Sequence, residues 1–83
     1  MKDKLIRRFL TDRKHITIVN CDELLTAFGY GLKKGGGSHR TYHKKGIRPI
    51  TVVVPKGTKY VYSVYINQII KILKLEDHYD KGN

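Results

Sequence analysis

The middle of the sequence has no carboxylate: neither Asp nor Glu occurs between Leu24 and Leu75. The chain has seven acidic residues against 17 Lys and Arg residues, and its formal net charge is +10. A field of one sign attracts polyanions, and phosphate neutralisation is the usual source of affinity for nucleic acid. A basic surface that serves only solubility is the alternative. The cations of this segment are Lys33, Lys34, Arg40, Lys44, Lys45, Arg48, Lys56, Lys59, Lys71 and Lys74.

The sequence also lacks a second cysteine and a long apolar run. Cys21 cannot form an internal disulfide, which suits a reducing compartment. The chain shows no signal-peptide pattern and no stretch of about 18 apolar residues, the minimum for a membrane span. We therefore expect a cytoplasmic protein that does not associate with a membrane. The length of 83 residues and the hydrophobic share of 40% predict a single domain over residues 1–83.

Apolar periodicity predicts three helices. The first runs from Lys2 to Leu10 and belongs to an N-terminal extension of about residues 1–20. The second begins at an N-cap, Asn20 or Asp22, and ends at Gly29, which can adopt a positive φ without a Cβ clash. The third covers about 63–74, because four apolar residues there recur at i, i+3, i+4 and i+7. The core of the domain then spans about residues 21–75, and residues 76–83 form a polar, frayed tail.

Three short strands are predicted between the second and third helices. The segments "YGLKK", "SHRTYHKKG" and "RPITVVVP" alternate with a period of two, and glycines or prolines separate them. The fold class is therefore α+β, with a three-stranded antiparallel sheet and helices packed on one of its faces. The predicted core residues are Tyr30, Leu32, Tyr42, Ile50, Val52 and Val54 of the sheet with Leu24, Leu25, Phe28, Ile66, Ile69, Ile70 and Leu73 of the helices. The opposite, open face carries Lys33, His39, Thr41, His43 and Thr51.

The segment "KKGGGSHRTYHKK", residues 33–45, combines glycines, histidines and cations. Its glycines can serve simply to close a hairpin, and it does not match a nucleotide-binding P-loop. His39 and His43 lie four residues apart. On a strand this spacing separates them by about 13 Å, too far to hold one ion, so we expect no metal site.

Cleavage of an RNA backbone is a reaction that suits these residues without a metal. Attack of the 2′-OH group on the adjacent phosphorus needs proton removal, protonation of the leaving oxygen and stabilisation of charge. His39 can transfer protons, and the neighbouring Lys and Arg residues can hold phosphates. Glycine lets a phosphate approach the backbone closely, and Ser38 can donate a hydrogen bond.

The stretch "LLTAFGYGLKKGGGSHRTYHKKGIRPITVVVP", followed by "YINQIIKILKL", resembles the HicA family of mRNA interferase toxins. The resemblance covers residues 22 to about 75 and centres on a Gly-Ser-His motif between two strands. The chain departs from the family pattern at Gly36, where members often have a polar or basic residue. It departs again at Lys56-Gly57, where members often have a histidine.

The resemblance implies a double-stranded-RNA-binding-domain-like α-β-β-β-α fold. The opening helix, Lys2 to Leu10, is more than the minimal family pattern needs and adds an extra N-terminal helix. It implies an endoribonuclease toxin of a type II toxin–antitoxin system, which cleaves mRNA and is neutralised by a HicB-type antitoxin protein. No cofactor is implied. The catalytic residue would be His39. Gly37 and Ser38 would complete the motif. With the cations that surround His39 in the sequence, the expected RNA-binding residues are Lys33, Lys34, Gly37, Ser38, Arg40, Lys44 and Lys45.

Two other functions remain open from the sequence. A non-catalytic module that recognises duplex RNA needs grouped cations but no special histidine. A third possibility is a protein whose main role is to bind another protein. Loss of cleavage on replacing His39, with folding and RNA binding retained, would distinguish the enzyme from the module.

Overall fold

The structure is a computed structural model, and it describes residues 3–34 and 39–78. Four helices and three strands follow one another in the order α-α-β-β-β-α-α, with a short 3-10 turn at Arg13–His15. The helices are α1 (Asp3–Thr11), α2 (Ile18–Ala27), α3 (Ser63–Leu73) and α4 (Leu75–His78). The strands are β1 (Gly31–Lys34), β2 (His39–Lys44) and β3 (Ile47–Val53).

The three strands form one antiparallel sheet in the order β1-β2-β3, as predicted. β2 is the central strand: its Tyr42 lies opposite Leu32 of β1 and Ile50 of β3. A two-residue connection, Lys45-Gly46, joins β2 to β3, and Gly46 adopts a φ of 77° there. Glycine reaches this left-handed region without a Cβ clash, so the sequence supports a tight hairpin.

Helix α2 begins earlier than the sequence predicts. Its N-cap is Thr17, not Asn20 or Asp22. The Thr17 side chain accepts a hydrogen bond from the backbone of Asn20 at 3.2 Å, and the Asn20 side chain accepts one from the backbone of Thr17 at 3.0 Å. This reciprocal capping box satisfies two otherwise unpaired N–H groups. The stabilisation that it gives outweighs the small cost of placing the β-branched residues that follow in a helix. At the other end, Gly29 follows the helix with the predicted positive φ, 91°.

One face of the sheet packs against the helices and forms a single core. Tyr42 and Val52 are fully buried there, whereas Leu32 of the edge strand β1 keeps 36% of its surface exposed. Phe28 and Val54 are only partly buried against the core. The buried residues are Ile6, Phe9, Ile16, Cys21, Leu24, Leu25, Tyr30, Tyr42, Ile50, Val52, Val61, Ile66, Ile69, Ile70, Leu73 and Leu75.

Both ends of the described chain contribute to this core. Ile6 and Phe9 of α1 are 5% and 0% exposed, so the N-terminal helix is an integral part of the hydrophobic interior. After α3, Lys74 adopts a left-handed φ of 52°, and the chain turns into α4 with Leu75 fully buried. The polar sequence after Leu75 predicts a frayed tail, but the structure shows that Glu76 to His78 belong to the short helix α4.

Candidate functional site

His39 is the first residue of β2 and is exposed. It lies opposite Val53, the last residue of β3, because the two strands run antiparallel. This register brings the start of β2 next to the loop that leaves β3. The tight hairpin pairs Lys44 with Ile47, and a register shift between Tyr42 and Lys44 then moves the pairing by one residue, so that His39 meets Val53.

An open groove of about 720 Å³ lies at this end of the sheet. We call it the His39 groove. Its polar lining includes two cations, and none of the described residues that line it is acidic. Its lining residues are Ile18, His39, Arg40, Val53, Val54, Pro55, Lys56, Gly57, Thr58 and Tyr62.

Arg40 reaches the His39 groove from the side of the sheet that faces the helices. Its Nη1 lies 2.8 Å from Oδ2 of Asp22, and their side chains are 27% and 26% exposed. The other oxygen of this carboxylate accepts a hydrogen bond from the Tyr42 hydroxyl at 2.6 Å. The guanidinium has five N–H donors, and Asp22 takes only one of them in the described contacts, so Arg40 can still donate to a phosphate.

The structure separates two of the predicted cations from His39. Lys44 and Lys45 lie at the other end of β2, about 16 to 20 Å away by the rise of a strand. The Nζ of Lys44 donates a hydrogen bond to the carbonyl oxygen of Phe28 at 2.8 Å and lies 5.5 Å from the ring centroid of Tyr30. Lys44 therefore caps the carboxyl end of α2, and Lys45 is exposed in the β2–β3 turn.

The remaining predicted RNA-binding residues lie on β1 or outside the described residues. Lys33 is exposed on β1 opposite Thr41, and Lys34 is the last residue of that strand. Gly37 and Ser38 lie outside the described residues. The neighbours that the structure gives His39 are thus chiefly on β3 and the loop after it.

The open face of the sheet has the composition that the sequence predicts. Lys33, Thr41 and Thr51 lie in one row across the three strands, and the two threonine Oγ1 atoms are 3.3 Å apart. His43 is exposed on this face as well, opposite Gly31. His39 and His43 are therefore on one strand, four residues apart, as expected.

The sequence did not identify Lys56, Thr58 and Tyr62 as neighbours of His39. They are 17 to 23 residues away from it along the chain, and only the pairing of β2 with β3 brings them close. A regular hairpin read from Lys45-Gly46 places His39 opposite Val52, one residue from its observed partner Val53, and so indicates the neighbourhood of Lys56 only to within one residue. Tyr62 had no separate signal, because its position just before α3 looks like the approach to a helix.

Among residues 3–34 and 39–78, no cluster of three or more His, Cys, Asp or Glu side chains could hold a metal ion. Within the same ranges, no helix has the length and apolar character needed to cross a bilayer. Comparisons with protein-family models, with curated proteins and with solved structures gave no match.

Proposed function

We propose that this protein is an endoribonuclease toxin of the HicA type, with a double-stranded-RNA-binding-domain-like fold and with His39 as its catalytic residue. The observation that carries the proposal is the position of His39. Its imidazole is exposed and lines the His39 groove together with Arg40 and Lys56. An accessible proton-transfer group that shares a groove with two cations suits cleavage of a phosphodiester.

In the proposed reaction the neutral imidazole of His39 removes the proton from a ribose 2′-OH group as the 2′ oxygen attacks the adjacent phosphorus. The bond between phosphorus and the 5′ oxygen breaks, and that oxygen takes a proton from the imidazolium or from water. The products are a 2′,3′-cyclic phosphate and a 5′-hydroxyl. Arg40 and Lys56 offset the negative charge that develops on the phosphoryl oxygens.

The substrate and partner follow from the same proposal. The carboxylate-free middle of the chain and the net charge of +10 suit mRNA as substrate, and the protein would act in the cytoplasm. A HicB-type antitoxin would neutralise it by covering the His39 groove. An acidic surface on that antitoxin would speed association, since opposite fields steer the encounter, and it would compete directly with RNA.

The test compares His39→Ala with His43→Ala. Both histidines are exposed on β2 and share a face, but His43 does not line the groove. General acid–base catalysis contributes about a hundredfold to ten-thousandfold, so His39→Ala should lower kcat by that factor while His43→Ala stays near wild type. Cleavage of a messenger transcript and identification of the cyclic phosphate end provide the measurement.

Growth of host cells after induction of the same variants checks the toxin part of the proposal. Wild type and His43→Ala should arrest growth and deplete messenger RNA, and His39→Ala should do neither. If wild type and His39→Ala bind RNA equally and neither cleaves it, the protein is a non-catalytic RNA-binding module. Equal cleavage by both would remove His39 from the mechanism.

A further inference from the structure

A second hollow adjoins the His39 groove. It has a volume of about 260 Å³ and is lined by residues of the β3–α3 loop together with Lys14. We call it the Tyr60 hollow. It shares three residues with the His39 groove: Pro55, Thr58 and Tyr62. The two hollows therefore meet at Tyr62, and together they form a track that runs from His39 past this tyrosine to Lys14.

Tyr62 presents an aromatic ring at the junction of the two hollows, with 50% of its surface exposed. Its backbone is held in place. The N–H group of Tyr62 donates to the Val53 carbonyl oxygen at 3.4 Å, and its own carbonyl oxygen accepts from the N–H groups of Tyr65 at 3.0 Å and Ile66 at 3.4 Å. The Tyr65 ring lies beside it, with the ring centroids 6.3 Å apart. An exposed ring on a fixed backbone is the arrangement that stacks a nucleobase at low entropic cost.

Cations lie on both sides of Tyr62. Lys56 lines the His39 groove and Lys14 lines the Tyr60 hollow. Lys59 adds a third positive charge next to the track, with its Nζ 5.5 Å from the ring centroid of Tyr60. Within 3–34 and 39–78, the residues that line the two hollows include no Asp or Glu. Along the track, Tyr62 thus lies between a cation of one hollow and a cation of the other. In a single RNA strand a base likewise lies between two phosphates, so the cations can contact the phosphates and the ring can contact the base.

The walls of the His39 groove are partly apolar. They include the apolar side chains of Ile18, Val53 and Val54 next to Tyr62. In a duplex both faces of a base are covered by its stacked neighbours, so the base cannot stack on the Tyr62 ring. An unpaired base can turn one face towards that ring. A duplex is instead recognised through its phosphates and 2′-OH groups, for which an apolar wall offers nothing.

We propose that the track binds single-stranded RNA, with one unpaired base stacked on Tyr62 and the flanking phosphates held by Lys56 and Lys14. This inference rests on the proposed function, because it assigns the substrate of the His39 groove. Stacking in the groove that His39 lines would hold the neighbouring ribose of an unpaired strand, so Tyr62 would position the bond that is cleaved.

The test measures binding of a fluorescent 2′-O-methyl oligonucleotide, which lacks the attacking hydroxyl group, to the full chain. Base–aromatic stacking contributes about 1 to 3 kcal/mol, so Tyr62→Ala should weaken binding by about fivefold to 150-fold. Tyr62→Phe should bind like wild type. Tyr62→Leu keeps an apolar side chain but no ring, and it should bind as weakly as Tyr62→Ala.

Val64→Ala is the matched control, because Val64 is 54% exposed, lies two residues from Tyr62 and lines neither hollow. It should bind like wild type. Lys56→Ala and Lys14→Ala should each reduce the slope of log K against log salt by about 1, whereas Tyr62→Ala should leave that slope unchanged. A self-paired duplex of the same 2′-O-methyl chemistry should bind wild type more weakly than the single strand and should be insensitive to Tyr62→Ala.

The outcomes separate this inference from the proposed function. Equal binding by wild type and Tyr62→Leu, or equal affinity for the single strand and the duplex, overturns the single-strand track even if unmodified RNA is cleaved. Binding that depends on Tyr62, without cleavage of unmodified RNA by wild type, supports the track and overturns the endoribonuclease. No binding of RNA at low salt overturns both.

Discussion

Tyr42 donates its hydroxyl hydrogen bond to Oδ1 of Asp22 at 2.6 Å, and this bond ties the central strand to helix α2. The other oxygen of the same carboxylate lies 2.8 Å from Arg40. Tyr42 has no exposed surface, whereas the ion pair between Asp22 and Arg40 is about one-quarter exposed. A buried hydroxyl that loses its acceptor costs more than a partly solvated ion pair, so the two contacts contribute unequally to stability.

Double-mutant cycles test this difference. Asp22→Ala should lower the free energy of unfolding by about 2 to 3 kcal/mol, because it leaves the Tyr42 hydroxyl without its acceptor. In a Tyr42→Phe background the same change should cost less by about 1 to 2 kcal/mol. In an Arg40→Ala background the cost of Asp22→Ala should fall by at most about 1 kcal/mol relative to its cost in wild type. Urea denaturation gives the four free energies of each cycle, and a stronger coupling to Arg40 than to Tyr42 would contradict the assignment.

Cys21 should resist thiol reagents while the protein is folded. Burial, aided by the neighbouring carboxylate of Asp22, raises the pKa of Cys21 from 9.0 to about 12. Since the thiolate is the reactive form, its fraction near pH 8 should fall about a thousandfold relative to an ordinary cysteine. Mass spectrometry of iodoacetamide adducts, with urea-unfolded protein as the control, gives the rates. Labelling of the native thiol at the unfolded rate would show that α2 opens readily or that Cys21 is accessible.

Stability should decline in alkaline solution. Burial and the hydrogen bond to Asp22 raise the pKa of Tyr42 above its ordinary value of 10.0, and the pKa of Cys21 is raised from 9.0. In the unfolded chain both groups lose their protons at these ordinary values, while the folded protein still holds them. The unfolded state is therefore favoured as pH rises, and each group contributes a loss of up to about 1.4 kcal/mol per pH unit.

Denaturation curves between about pH 8 and 11 measure this loss, and a variant separates the two contributions. Tyr42→Phe should be less stable than wild type near neutral pH, because it lacks the hydrogen bond to Asp22. Its stability should then fall less steeply than that of wild type above pH 10. Parallel curves for both proteins would mean that Tyr42 does not titrate differently on unfolding.

The sheet and its faces could be predicted because they depend on local patterns. Alternation along β2 and the glycine at position 46 are enough to place His39 and His43 on the open face. The start of α2 could not be predicted from periodicity alone. The residues that begin at Thr17 are β-branched, which favours a strand when the sequence is read alone. Only the reciprocal hydrogen bonds between Thr17 and Asn20 show that a helix begins there.

The composition of the candidate site was harder to predict than its histidine. Cations that are adjacent in sequence suggested a cluster, yet Lys44 is used to bind the carbonyl oxygen of Phe28 at the far end of β2. Lys56 and Tyr62 approach His39 only through the pairing of His39 with Val53. Such contacts depend on strand register and on the path of a loop, which local periodicity does not encode.

Phe9 provides the test of whether the first helix belongs to the fold. The sequence treats residues 1–20 as an extension, but Phe9 is fully buried in the core. Phe9→Ala should therefore cost about 3 to 5 kcal/mol, the range for large-to-small changes in a packed interior. Because small domains are stable by only about 5 to 15 kcal/mol, this loss should lower the urea midpoint strongly. Arg7→Ala, an exposed change on the same helix, should cost less than about 0.5 kcal/mol. If the two variants unfold at the same urea concentration as wild type, α1 is an appended helix and the core is complete without it.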